Sequence, residues 1–294
     1  MNNRDFFKHF AGRQALPDSF VTRTAPAYER IAMAVRRASI GTPLLIGISG
    51  SQGTGKSTLS VFIRDWLRQH SSLRVASLSL DDCYLTRAQR ETLARTVHPL
   101  LITRGPPGTH DLALLRNTLT SLLDPDFSAN VTLPRFNKAL DERLAPEDSP
   151  VCEQAPDIVL FDGWLLGCAP VSEARLASPC NALEQHEDST GQWRRYTNAQ
   201  LQHYQALWRS IDLFIGLRAP SFEHTQQWRF DAEQRLMLEG GQDRRHRNIA
   251  EIRRFTQHFQ RFSARLQRSM NTLSDIDVEL DADHCVTSVR LPDS

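Results

Sequence analysis

Residues 50 to 57, Gly50-Ser51-Gln52-Gly53-Thr54-Gly55-Lys56-Ser57, satisfy the pattern G-x-x-x-x-G-K-S, and the apolar run Leu44 to Ile48 leads into them. A run that stops abruptly in glycines and restarts as a helix-compatible segment through Thr58 reads as strand, phosphate loop, helix. In that arrangement successive backbone N–H groups face an anion, the helix N-terminus points at it, and Lys56 reaches the outer phosphates. Ser57 is the hydroxyl expected on Mg²⁺. Gly50, Gly53 and Gly55 allow the backbone to approach phosphate with no Cβ in the way. Lys8, Lys56 and Lys138 are the only lysines in a chain with 35 lysines and arginines. A compact ammonium kept at the loop suits a point charge on phosphate better than a guanidinium fork.

The chain of 294 residues is long enough for one main core, and its formal net charge of +1 provides no global field for nucleic acid or an anionic membrane. Anion binding must therefore be local. The five cysteines are odd in number and scattered, with no C-x-x-C pair, which argues against a disulfide framework or a zinc site and for a reducing compartment. No apolar run approaches a membrane span and Met1 to Asp5 lack a secretory pattern, so the expected setting is cytoplasmic.

Residues 1–40 carry Tyr28, Ile31, Ala32, Val35 and Ala38 at helical spacing and predict a helical N-terminal extension; residues 41–294 are expected to form the phosphate-loop domain. Arg74 to Leu80 reads as a second strand that delivers Asp81-Asp82-Cys83-Tyr84 at its carboxyl end, where open α/β sheets place their chemistry. If strand geometry persists, only one of the two acids faces the cleft; a capping aspartate is the alternative. Residues 104–111, RGPPGTHD, form either a substrate loop carrying Arg104 and His110 or a rigid connector in which Asp111 caps the next helix. Arg135 and Lys138, at the end of a short strand, would hold an anionic substrate or lie in solvent. Asp157 to Trp164 is an apolar strand ending in Asp162, the form of a Walker B acid that binds Mg²⁺ or its water shell. Residues 168–192 lack periodicity and read as a surface insertion. Beyond the strand 211–217 come Gln227 to Arg235 and, after Gly240-Gly241, an amphipathic helix to about Met270, whose arginines are expected in solvent. A C-terminal hairpin closes the chain. Strands ending at Ser49, Leu80, Asp162 and Leu217 with helices between them predict an α/β P-loop NTPase fold, mostly parallel, with helices on both faces.

The set GISGSQGTGKST, SLSLDDCYL, RGPPGTHDL, LPRFNK, VLFDGW and QQWRFDAEQRL resembles the P-loop kinases of the phosphoribulokinase, uridine kinase and pantothenate kinase group, and within it the D-glycerate 3-kinases and their uncharacterised microbial relatives. The resemblance spans roughly residues 40 to 290. It implies γ-phosphoryl transfer from ATP, with Mg²⁺, to a hydroxyl of a small metabolite. By motif, Lys56 and Ser57 hold phosphates and Mg²⁺, Asp81 is the base, Asp162 the Walker B acid, and the matching lid region near 221–241 supplies Arg229 as the cation over the transferring phosphate. Asp81, Tyr84, Arg104, His110, Arg135 and Lys138 are the expected substrate-binding residues, and a planar arginine fork suits the carboxylate of glycerate. Asp162 stands where the group usually has Glu, and Cys83 where it commonly has Phe. The competing class is a regulatory P-loop nucleotide-binding protein. Asn137-Lys138-Ala139-Leu140-Asp141 superficially resembles a guanine-reading N-K-x-D, but with one residue too many and before the Walker B strand rather than after it.

Overall fold

The computed structural model describes residues 2–39, 41, 43–127, 130–240 and 249–292. Helices α1 (Asn3–Arg13) and α2 (Ala25–Ala38) precede strand β1 (Leu44–Gly50), the phosphate loop and α3 (Lys56–His70). Strand β2 (Val75–Ser79) is followed by α4 (Arg87–Thr96) and α5 (Leu112–Leu122). Four two-residue strands, β3 (Val131–Thr132), β4 (Phe136–Asn137), β5 (Glu142–Arg143) and β6 (Val151–Cys152), pair as β3 with β6 and β4 with β5. Then come β7 (Ile158–Gly163), the short helices α6 (Ala182–Glu187), α7 (Gln192–Gln200) and α8 (Gln205–Arg209), β8 (Leu213–Arg218), α9 (Phe222–Gly240), α10 (Ile249–Leu273), β9 (Ile276–Leu280) and β10 (Val286–Arg290).

The main sheet runs in the order β10-β9-β8-β1-β7-β2 and is parallel except for β10. Its central strands β1, β7 and β8 read as near-continuous apolar runs because both faces are covered. Alternation along β1 sends Ile46 and Ile48 into one core with α1, α2 and α3, and Leu45 into the other with α5, α8 and α10. Phe62 of α3 sits at the centre of an aromatic cluster, with ring centroids 5.0 Å from Phe10, 5.4 Å from Phe6 and 5.5 Å from Tyr28. The N-terminal helices thus pack directly on the helix that the phosphate loop feeds.

The C-terminal hairpin is present, and it also forms the edge of the main sheet, since β9 pairs in parallel with β8. The structure departs from the sequence expectations in two places. The 168–192 segment is not all surface: Leu176, Leu183, Glu184 and Asp188 are buried. The arginine face of α10 holds that segment instead of lying wholly in solvent. Arg261 binds the Glu184 carboxylate and the carbonyls of Arg175 and Ser178, and Arg254 pairs with Glu187. A one-dimensional pattern marks such arginines as polar without showing that a segment 67 to 77 residues earlier folds over them. The expected lid reaches Gly241, which lies outside the described residues.

Candidate active site

The phosphate loop leaves β1 at Gly50, where an added Cβ would stand 2.7 Å from Thr54 Oγ1 and 2.8 Å from the Leu217 carbonyl. Gly53 and Gly55 adopt φ of +85° and +84°, which L side chains rarely take. Thr54 Oγ1 and Lys56 Nζ each donate to the Ser51 carbonyl at 2.9 Å, so the loop curls around its own lysine. Burial lowers the Lys56 pKa against the opposing pull of Asp162 and Asp81.

Parallel register aligns Asp162 with Ile48 of β1 and Ser79 of β2, which brings the strand-end acid under the loop. Asp162 Oδ2 accepts from Ser57 Oγ at 3.4 Å and Ser79 Oγ at 3.3 Å. Burial raises its pKa to about 6, with Lys56 holding it partly down. A carboxylate and a hydroxyl are hard oxygen donors of the kind Mg²⁺ takes, and among the described residues no group of three or more His, Cys, Asp or Glu could hold a metal ion. That sparse donor set fits an ion bound through one or two protein oxygens with substrate phosphates and water.

Asp81 and Asp82 lie in a 3₁₀ turn, Leu80–Cys83, where the strand has already ended. They diverge because successive residues of that turn rotate about its axis, and not by the alternation of an extended strand. Asp81 N–H donates to Ser79 Oγ at 3.3 Å, and its carboxylate accepts from Lys138 Nζ at 2.8 Å. Burial would raise the Asp81 pKa, but Lys138, Tyr84 and Lys56 outweigh it and hold the carboxyl below the ordinary range. Asp82 instead accepts from Arg135 Nη1 at 3.2 Å and Phe136 N–H at 3.3 Å, and burial raises its pKa.

The expected substrate-binding residues separate into two groups. Lys138, Tyr84 and His110 surround Asp81, with the His110 and Tyr84 rings 5.1 Å apart. Arg135 is turned to Asp82 and the Ser77 carbonyl, and Arg104 to Asp141, the Lys138 carbonyl and the Phe136 ring. Both arginines shape the loops that carry the other group. Asp111 does cap α5, accepting from Leu114 N–H at 3.0 Å, and also pairs with Arg143.

Two residues that sequence reasoning missed complete this wall. Arg90, 1% exposed, donates to the carbonyls of Leu85, Ile102 and Asp141 and pairs with the Asp141 carboxylate, tying the two substrate-side loops together. Tyr204 bonds both Gly108 N–H and His110 Nδ1. Neither sits in a motif, so no sequence signal marks them. On the nucleotide side the first turns of α9 lie over the loop: a Cβ at Gly53 would stand 3.3 Å from Trp228 Cβ and 3.5 Å from Arg229 N. The Arg229 charge acts on both Lys56 and Tyr84. Trp228 stacks on His284 of the β9–β10 turn at 4.3 Å, and the His284 ring borders Gly55.

Residues 24–287 match the KAP family P-loop domain. An uncharacterised kinase of Schizosaccharomyces pombe is 31% identical over 208 residues, 67% of this chain and 72% of its own length. The chloroplastic D-glycerate 3-kinase of Arabidopsis thaliana is 31% identical over 207 residues, of which this chain spans 42% of the longer protein. In three dimensions the chain is similar to a D-glycerate 3-kinase from Cryptococcus neoformans, with a TM-score of 0.70, 25% identity and coverage of 90% of this chain and 96% of that one.

Proposed function

The chain belongs to the KAP family of P-loop domains, and from that premise we propose that it transfers the γ-phosphoryl group of ATP to D-glycerate, giving 3-phosphoglycerate. It is a small-molecule kinase, as its relatives are, with an alcohol group as acceptor. The observation that carries the choice of acceptor is the trio around Asp81: a cation, Lys138, and two neutral polar rings, Tyr84 and His110, beside one carboxylate. That set suits a small acceptor bearing a carboxylate close to its reacting hydroxyl.

In this reading Lys56, the loop N–H groups and Arg229 hold the outer phosphates, and Asp81 accepts a hydrogen bond from the acceptor hydroxyl and orients its oxygen. A carboxyl held below the ordinary range is a weak proton acceptor, which fits a loose transition state in which positioning outweighs early proton removal. Ser57 and Asp162 would hold Mg²⁺, which when bound neutralises charge on the phosphates. A cytoplasmic setting is part of the proposal, supported by five cysteines that are all free thiols. Among the described residues no helix is long and apolar enough to cross a membrane.

The test is ADP release with D-glycerate against uridine, pantothenate and ribulose 5-phosphate, with the product identified by phosphorus NMR. Turnover of glycerate to 3-phosphoglycerate is expected. Turnover of another acceptor with glycerate inert would remove the acceptor assignment and leave the kinase chemistry in place.

A further inference from the structure

His110 is 5% exposed, and its Nε2 has no hydrogen-bond partner among the described residues. Its other ring nitrogen, Nδ1, lies 2.8 Å from the hydroxyl of Tyr204, which is fully buried and also lies 3.0 Å from Gly108 N. The Gly108 N–H is a donor only, so it occupies a lone pair of the Tyr204 oxygen. The one proton of that hydroxyl then has His110 Nδ1 as its partner among the described residues. If Nδ1 carried the proton instead, two polar groups would be orphaned in the interior: the Tyr204 O–H and the Nε2 lone pair. With Nδ1 as acceptor only one group is left over, the Nε2–H. A buried polar group left unpaired is costly, and one costs less than two, so the second arrangement prevails.

We propose that Tyr204 is a positioning residue that locks His110 in the Nε2–H tautomer, so that His110 offers one neutral donor to an oxygen of the phosphoryl acceptor. The geometry places that donor on the acceptor side of the cleft. The ring lies between those of Tyr204 and Tyr84, and the Tyr84 ring packs on Phe136, two residues from the Lys138 that pairs with Asp81. Asp81 is also the charged group that acts on the His110 ring, while burial depresses the His110 pKa to about 4. The imidazole therefore remains neutral at working pH and donates without adding charge beside Lys138. An unsatisfied donor in a dry wall also discriminates, because an acceptor lacking the matching oxygen leaves it unpaired. This inference rests on the kinase reading above but not on the identity of the acceptor.

The ring tautomer is read by nitrogen-15 NMR of the histidine side chains, with His110 assigned by its loss in His110→Gln. The expected result is a protonated Nε2 and an unprotonated Nδ1 for His110 in the wild type, and loss of that single-tautomer pattern in Tyr204→Phe. With whichever acceptor the substrate panel finds active, Tyr204→Phe and His110→Phe should raise the acceptor KM by roughly 10- to 100-fold, the loss of one buried hydrogen bond, while the KM for ATP stays within about two-fold. His110→Gln, which places an amide donor near the Nε2 position, should recover most of that loss. An Nδ1-protonated His110 would overturn the proposal. So would a His110→Phe enzyme with wild-type acceptor KM, or a Tyr204→Phe enzyme in which the KM for ATP rises as much as that for the acceptor. Because the NMR result needs no substrate, failure of the glycerate assignment leaves it readable.

Discussion

Asp81 and Asp82 are neighbours in the chain with opposite surroundings, and that contrast gives the sharpest prediction at the scale of residues. Asp81→Asn keeps size and hydrogen bonding but loses the charge that faces the acceptor hydroxyl, so ATP binding should persist while turnover falls roughly 10²- to 10⁴-fold. Asp82→Asn should leave turnover within about ten-fold. Its cost lies in the Arg135 ion pair and is read as a lower midpoint in urea. If Asp82→Asn proves the less active enzyme in steady-state assays, the role of orienting the acceptor hydroxyl moves to Asp82. Asp162 yields a second, pH-dependent prediction. Its folded pKa of about 6 lies above the unfolded carboxylate value, so the native state binds the extra proton between the two. The penalty for ionising it is absent near pH 4 and below, grows as pH rises, and is complete above pH 6. Asp162→Asn should therefore stabilise the ligand-free protein relative to wild type above pH 6, by on the order of 2–3 kcal/mol, and lose Mg²⁺-dependent turnover. Denaturant midpoints of the two proteins from pH 4 to 8 should diverge in that direction. A gap that is constant with pH would show that Asp162 is not the group titrating.

The phosphate loop and α9 act as one element because the loop has no side chains where the helix lies on it. Gly53→Ala demands a left-handed conformation of an L residue, about 1 kcal/mol, and its Cβ would press on Trp228 Cβ and the Thr225 carbonyl at 3.3 and 3.4 Å. Calorimetry should show ATP affinity falling by roughly ten-fold or more, since 1.4 kcal/mol is a factor of ten, with the fold intact by circular dichroism. Unchanged affinity would mean that the first turns of α9 do not define the nucleotide side of the cleft. The turn between β4 and β5 behaves in the same collective way. Arg104 and Arg90 hold it through Asp141, and Lys138 reaches Asp81 from within it.

At the scale of the whole molecule, the N-terminal helices and α3 share one core, and Phe62 is its hub. Phe62→Ala should cost about 3–5 kcal/mol, measured by urea denaturation, and ATP with Mg²⁺ at 100 times its Kd should return about 2.7 kcal/mol by linkage. A loss below about 1 kcal/mol would mean that the aromatic cluster is peripheral to stability and that the N-terminal helices are dispensable to the domain.

The strand–loop–helix around Lys56, the strand-end acids and the parallel α/β class were legible along the chain, because each is a local pattern: a glycine spacing, an apolar run, a residue at a strand terminus. The sequence also marked Lys138, Tyr84 and His110 without a way to tell them from Arg104 and Arg135. Only tertiary structure made that division, since it depends on which carboxylate each cation meets: Arg135 meets Asp82, Arg104 meets Asp141, and Lys138 alone of the three meets Asp81. The edge position of β9, the arginines of α10 on the 168–188 segment, and the roles of Arg90 and Tyr204 were likewise decided there. These partners lie tens of residues away, and a buried donor is recognised by what its hydrogen bonds reach, which no periodicity along the chain encodes.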